Sequence, residues 1–362
     1  MKALRLAVLC GALSLAGAAQ AAEKPLTVVM VDVDGGAATL FVTPEGKSLL
    51  VDTGWPAGMG VPRPAPGATA PPQPTSAERI VAAAAKLGVR KIDYLLITHY
   101  HVDHIGGLQG VMARMPVGTF LDHGVNREET PPDTPPAMAA NLPASFYPGY
   151  LKAIAGHPHR VVKPGDKVQI GSLALTFVAA DATLIPAPPH ARPGPGPECV
   201  LGSGVPQVDE NPRSAGFVAS YGKARILDLA DLTLDQEKQL VCPANRLGRV
   251  DVLLVSHHGT ALSTGPALLA ATAPRVALMA NGSRKGGDKE VFENLAAARS
   301  KPAVWQLHGA TRSPETNRPA DYIANPLPTP DGFYAVTALV SPNGAVRVTN
   351  ARNGFSETYP GR

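Results

Sequence analysis

Residues 92–97 read as a buried strand, and it runs straight into Thr98-His99-Tyr100-His101-Val102-Asp103-His104. Imidazole nitrogens and carboxylate oxygens are the ligands of borderline and hard divalent metals. His99, His101, Asp103 and His104 place four such groups within six residues. One lone histidine would more often be structural, but this density directly after a strand is not explained by packing. On a loop, alternate side chains can point together while the intervening ones turn aside. The stretch therefore demands a fold in which a buried strand ends at an edge that carries function.

The rest of the chain supplies layers around that strand. Residues 26–33, 38–42 and 47–52 form an opening antiparallel meander, with Pro44-Glu45-Gly46 as one turn and Asp52-Thr53-Gly54 at its end. Thr75 and Glu78 make a capping box for a helix that continues through residues 80–86 to Gly88. Gly106-Gly107 opens another helical stretch, and 117–121 is a strand. Residues 217–220 and 224–229 pair around Tyr221-Gly222-Lys223, and 235–241 is helical. Residues 250–255 form a buried strand ending at Ser256-His257-His258-Gly259. A helix at 262–271, a strand at 275–279 and a closing hairpin over 333–340 and 345–348 follow. Strands outnumber helices and the two alternate, the mark of a layered α/β protein. The 37 prolines concentrate in three insertions, at about 61–74, 130–148 and 185–206. These are expected to be irregular loops that shape the groove.

The first residues read as a leader. Lys2 and Arg5 precede an apolar run over 6–15, and Ala19-Gln20-Ala21 suits a signal peptidase. Residues 1–21 are thus expected to be a signal peptide and 22–362 a single domain, periplasmic or secreted. The apolar run is shorter than the roughly 20 residues that a bilayer needs, and no later segment reaches that length. The net charge of +4 includes Lys2 and Arg5, so the mature chain carries too little charge to signal a nucleic-acid surface. Cys199 and Cys242 remain after the leader is cut. In an oxidising compartment they are expected to form a disulfide, the alternative being two buried thiols.

His99-Tyr100-His101-Val102-Asp103-His104 resembles the HxHxDH motif of the metallo-β-lactamase superfamily. Asp52-Thr53-Gly54 is similar to its early D-x-G turn, Asp231 to its bridging aspartate, and Ser256-His257-His258-Gly259 to its late histidine motif. Within the superfamily, the chain resembles the hydrolase domain of the bacterial DNA-uptake channel ComEC and its free-standing relatives. Residues 31–37 are similar to that branch's opening D-V-G-x-G-D-A, Asn211-Pro212-Arg213-Ser214 to its N-x-x-S element, and 251–259 to its D-x-L-x-x-x-H-H-G. Asp34 stands where glycine is usual, and Ala230 replaces the glycine before the bridging aspartate.

The resemblance implies an αββα sandwich with metals in a groove at one edge of two facing sheets. It implies His99 and His101 on a first metal, and Asp103, His104 and one of His257 or His258 on a second. Asp231 bridges them, and Asp103 and Asp231 orient the nucleophile. Two divalent ions are implied; nitrogen and oxygen ligands suit zinc, with manganese or iron as alternatives. A third histidine for the first site is missing, because Asn211 and Ser214 occupy that stretch; His123 is the substitute, or else a hydrogen-bonded histidine. His157, His159 and His190 are expected to be solvated and His308 structural. Arg284 and Lys285, beside Gly286-Gly287, either meet an anionic substrate or form a solvated turn. The implied function is hydrolysis by a metal-bound hydroxide, with a phosphodiester favoured. The alternatives are an ester, lactone or β-lactam as a small-molecule substrate, or a non-catalytic metal-binding protein on the same fold.

Overall fold

The computed structural model describes residues 24–60, 73–199, 209–327 and 332–362. The expected leader at 1–21 lies outside the described residues, as do most of the insertion at 61–74 and residues 200–206 of the third. Strands β1 (Leu26–Met30), β2 (Thr39–Val42) and β3 (Ser48–Val51) form the antiparallel meander. β4 (Ile92–Leu96), β5 (Val117–Asp122) and β6 (His159–Val161) extend it in parallel.

The chain then builds a second sheet. Its strands are β7 (Lys167–Ile170), β8 (Leu173–Ala180) and the short β9 (Thr183–Leu184), and, after the separate β10 (Arg192–Pro193), β11 (Gly216–Tyr221) and β12 (Ala224–Asp228). β13 (Ala244–Asn245) pairs with β10 alone. β14 (Val252–Leu254), β15 (Val276–Met279), β16 (Ala303–His308) and β17 (Ile323–Asn325) complete the second sheet in parallel with β12. β18 (Val336–Val340), β19 (Val346–Asn350) and β20 (Ser356–Tyr359) return to the first sheet beside β1. The orders are β20-β19-β18-β1-β2-β3-β4-β5-β6 and β17-β16-β15-β14-β12-β11-β8-β7, with β9 on β8.

Alternation along the strands makes three apolar layers, because successive side chains leave opposite faces. Val28, Met30, Leu49, Val51 and Leu96 face the second sheet and meet Leu175, Phe177, Phe217 and Ile226. Phe217 stands edge-on to both Phe41 and Phe177, at centroid separations of 6.2 and 6.0 Å. The intervening Val29, Leu50 and Leu95 face outward, under helices α1 (Ser76–Lys86), α2 (Val102–Ile105) and α3 (Leu108–Met112). On the far side, Leu227, Leu253 and Ala277 pack under further helices, introduced below, so the architecture is the expected αββα sandwich.

The capping box at the start of α1 is formed: Thr75 N donates to Glu78 Oε2 at 2.8 Å, and Glu78 N to Thr75 Oγ1 at 3.3 Å. The insertion at 130–148 corrects the expectation of an irregular loop. It holds α4 (Pro136–Ala139) and the first half of α5 (Pro143–Ile154). Pro136 and Pro143 sit at the first helical positions, where a missing N–H leaves no bond unmade and a fixed φ helps. Helices α6 (Leu234–Val241), α7 (Pro266–Thr272) and α8 (Lys289–Ala297) cover the second sheet. Cys199 and Cys242 are joined, with Cα atoms 5.7 Å apart and a sequence separation of 43. A loop of that size gives about 4 kcal/mol in the chain-entropy picture of a cross-link. No helix among the described residues is long and apolar enough to cross a membrane.

Candidate metal centre

β3 and β4 of the first sheet and β12 and β14 of the second all release their chains at one edge of the sandwich. Asp52 follows β3, His99 to His104 follow β4, Asp231 follows β12, and His257-His258 follow β14. Asp103, His104, Asp231 and His258 are all buried, and each offers a ligand atom within 4.8 Å of the others. His104 Nε2 lies 3.3 Å from Asp231 Oδ2 and 3.4 Å from Asp103 Oδ2. His258 Nε2 lies 3.0 Å from Asp103 Oδ2 and 3.5 Å from Asp231 Oδ2.

The far nitrogen of each of these two histidines is already engaged. His104 Nδ1 is 2.7 Å from Asp52 Oδ2, and His258 Nδ1 is 3.2 Å from the carbonyl of Ala280. A carboxylate or carbonyl on Nδ1 fixes the tautomer that presents a bare Nε2 to a cation. Asp52 is itself held, by Thr98 N at 2.8 Å and Thr98 Oγ1 at 2.7 Å. Two imidazoles and two carboxylates with ordered outer partners fit a divalent cation.

Asp231 is the hub. His257 Nε2 also reaches its Oδ2, at 3.5 Å, and His99 Nε2 does so at 3.9 Å. Ser214 Oγ accepts from Asp231 N at 3.3 Å and lies 3.5 Å from His99 Nδ1, so the N-x-x-S serine props both. His101 faces His99. Its Nδ1 is 3.0 Å from His99 Nε2, and its Nε2 is 3.1 Å from Glu128 Oε2 and 3.6 Å from Asp209 Oδ1. Asn211 opens a short 3-10 turn, and its N donates to Asp209 Oδ1 at 2.9 Å.

His123 is not brought to this cluster among the described residues. Its Nε2 lies 2.9 Å from Glu210 Oε2, both side chains are fully buried, and its ring packs on Tyr100. The hydrogen-bonded alternative is therefore the one realised. His159 lies in β6 and is exposed as expected, with Nε2 2.7 Å from Asp122 Oδ2. His308, at the end of β16, is buried with Nε2 2.7 Å from Asp32 Oδ1. Lys285 leaves the solvated-turn reading, because its Nζ pairs with Asp103 Oδ2 and stands 5.2 Å from the Trp55 ring.

Backbone conformation explains the odd residues around the site. Asp34 has φ 51°, and Ala230 has φ 48°. Both departures from glycine thus occupy the left-handed region that glycine serves best, which aspartate tolerates better than alanine. His257 and His258 are also left-handed, at φ 51° and 55°. Such residues cost on the order of 1–3 kcal/mol each and cluster where function requires them. Gly286 is the counterpart: a Cβ there would meet the His258 carbonyl oxygen at 2.0 Å.

The electrostatics follow from burial without solvent. Burial alone would lower His104, but Asp231, Asp103 and Asp52 hold it well above its usual value. Burial opposes ionisation of Asp231, yet His104, His257 and His258 keep its carboxyl well below the usual range. Asp228 is different. Burial pushes it up to about 7 from 3.8, with Asp52 and Asp231 adding to the rise. It lines a small cavity of about 40 Å³ together with His104 and Asp231, walled in part by Met30, Val51 and Leu254.

Because the folded-state pKa of Asp228 is raised, its burden is absent below the unfolded value, grows as the pH rises, and is complete above about 7. Asp228→Asn in chelator is expected to stabilise the protein more at pH 8 than at pH 5, by about 3 kcal/mol. Chemical denaturation at the two pH values measures it. An equal gain at both would assign the effect to packing.

Known proteins locate this arrangement. The sequence profile of the metallo-beta-lactamase superfamily matches residues 31–286. None of the curated proteins compared matches significantly. Among solved structures, the metallo-beta-lactamase fold protein YhfI from Bacillus subtilis is 12 % identical, covering 78 % of this chain and 95 % of that one, with a TM-score of 0.43. CmlA, a diiron beta-hydroxylase from Streptomyces venezuelae, is 17 % identical, with a TM-score of 0.38; the match covers 71 % of this chain but only 45 % of that one. MEM-A1, a subclass B3 metallo-beta-lactamase from a soil metagenome library, is 18 % identical over 77 % of this chain and 85 % of that one, with a TM-score of 0.33. The profile spans well over half of the sequence and takes in His99 to His104, Asp231 and His257-His258. The chain belongs to the metallo-beta-lactamase superfamily.

Proposed function

We propose that the protein is an exported metal-dependent hydrolase that uses two divalent cations and acts on a phosphodiester. One observation carries the hydrolase reading: the buried donors Asp103, His104, Asp231 and His258, with the two histidines already oriented from behind. Bound cations would supply Lewis acidity and a nucleophile at neutral pH.

The chain's own groups do the rest. Asp231 presents one oxygen to four imidazoles and ties the loops after β4, β12 and β14 into one site. Lys285 now pairs with Asp103. A cation held by the Asp103 carboxylate would free the Lys285 ammonium to meet an anionic oxygen. That placement, with the similarity of residues 31–37, 211–214 and 251–259 to the DNA-uptake branch, supports a phosphodiester. Export is supported by the leader-like start and by the Cys199–Cys242 bond.

A carbon ester, lactone or β-lactam is the second reading. It is favoured by Pro131, Met138 and Leu142, which give a cleft of about 900 Å³ an apolar wall. Zinc- and manganese-loaded protein should be assayed on bis(p-nitrophenyl) phosphate, p-nitrophenyl acetate, a lactone and a chromogenic β-lactam. Chelator-sensitive turnover of the phosphate diester is expected. Turnover of the carbon substrates alone would establish the second reading, and bound metal with no turnover would make the protein a non-catalytic metal binder.

A further inference from the structure

We infer that Glu210 is a positioning residue for the metal centre, acting through Tyr100 to aim His99 and His101 at one cation. This rests on the metal-dependent reading above and says how its first pair of donors is set. The Glu210 side chain is fully buried. Tyr100 N donates to its Oε2 at 3.3 Å, His123 Nε2 to the same oxygen at 2.9 Å, and Arg127 N to Oε1 at 3.3 Å. A buried carboxylate is costly unless such donors meet it, and a group that only accepts suits three donors better than an amide would. These bonds tie together the loop after β4, the loop after β5 and the turn that opens at Asn211.

Tyr100 stands between the two histidines and is held at both ends. Its main-chain N–H is on Glu210, and its hydroxyl donates to the carbonyl of Gly124. Its ring is buried in the layer under the helices, 4.8 Å from the His123 ring, 4.7 Å from Tyr147 and 5.4 Å from Tyr150. The backbone at His101 is extended. On either side of an inward side chain in an extended stretch, the neighbours leave together on the opposite face. His99 and His101 do so, and their Nε2 and Nδ1 face each other at 3.0 Å. A peptide free to turn at Tyr100 would let the two rings diverge.

Glu210 reaches His99 from a second side through its own backbone. Its carbonyl accepts from Arg213 N at 2.9 Å and closes the turn before Ser214, whose Oγ lies 3.5 Å from His99 Nδ1. One residue therefore holds the main chain between the two donors and the prop behind one of them.

The test is cobalt binding by the full chain after stripping with chelator, because Co²⁺ reports its ligands by visible absorption. Wild type is expected to take up two ions. Glu210→Met fills the space without the carboxylate. It is expected to weaken one of the two ions by about 10- to 100-fold and to alter that ion's absorption bands. Glu210→Gln, whose carbonyl can still accept from Tyr100 N, should restore both ions. His123→Leu removes another partner of Glu210 but leaves Tyr100 N in place; it should lower the melting temperature and bind both ions as wild type does. Tyr100→Phe loses only the bond to Gly124 and should weaken the same ion, even where Glu210→Met does not fold. Undiminished affinity and bands in folded Glu210→Met, or an equal loss in His123→Leu, would overturn the assignment and leave the hydrolase reading standing. Unaltered binding by Tyr100→Phe beside an unfolded Glu210→Met would do the same, as would a single ion in wild type. No metal bound by wild type at all would overturn both.

Discussion

Asp231→Ala is expected to lower bound metal from two ions per chain to one or none, and hydrolysis by about 10³-fold, since a bound cation supplies several kcal/mol of transition-state stabilisation. The reason is its position. Its Oδ2 lies 3.3 Å from His104, 3.5 Å from both His257 and His258, and 3.9 Å from His99. Among the described residues, no other carboxylate lies within 4.0 Å of four imidazoles. Alanine would also leave those rings buried without the charge that orients them, and the metal-free form should melt lower. Metal content by plasma mass spectrometry, beside kcat/KM on whichever substrate is turned over, decides it. Full metal content with an unchanged rate would remove Asp231 from the site.

Asp52→Asn should weaken metal binding by about 10- to 100-fold although Asp52 is not placed as a ligand, because outer partners of ligating histidines commonly carry that weight. Asp52 has φ 60°, a conformation that asparagine tolerates. The backbone should therefore survive the change. The carboxylate accepts from Thr98 N, Thr98 Oγ1 and His104 Nδ1. Asparagine can keep the first of these through its carbonyl, but its amide cannot accept from the ring N–H or the hydroxyl. His104 would lose the partner that fixes its tautomer. Isothermal titration with zinc, on protein whose circular dichroism matches wild type, measures the loss. Unaltered affinity would show that Asp103 and Asp231 orient His104 without help.

The part of the site legible in the sequence is the part carried by short continuous segments. His99 to His104 announce themselves because four ligand types fall on one loop after one strand, and His257-His258 repeat the pattern after β14. Asp231 is legible only through the superfamily resemblance, as the counterpart of the bridging aspartate after a strand. Glu128 and Asp209 are different. Each is a charged residue on a loop, which ordinarily means a solvated surface, and nothing nearby in the chain marks it. The acidic pair Glu128-Glu129 and the run Asp209-Glu210 just before Asn211 were the available signals. They become meaningful only beside His101.

His123 shows the converse. It follows β5 at the site-facing edge, as a ligand would, but the buried Glu210 carboxylate takes it. The insertion at 130–148 reads from its prolines as an irregular loop. Two of those prolines instead begin helices, and Met138 and Leu142 from that segment line the cleft.

The sequence by itself determined the layered α/β class and the placement of the main donor segment on a loop after a buried strand, while it left Cys199 and Cys242 either joined or as two buried thiols. Periodicity, turn chemistry and a dense donor motif are local properties, readable wherever the chain is continuous. Only the tertiary structure decided which way His101 turns, what holds His123, and that Lys285 reaches Asp103. Those outcomes depend on which buried charge finds which partner across two sheets. In a largely buried site, an ionised group goes to the nearest opposite charge or hydrogen-bond partner, and sequence distance has no part in that choice.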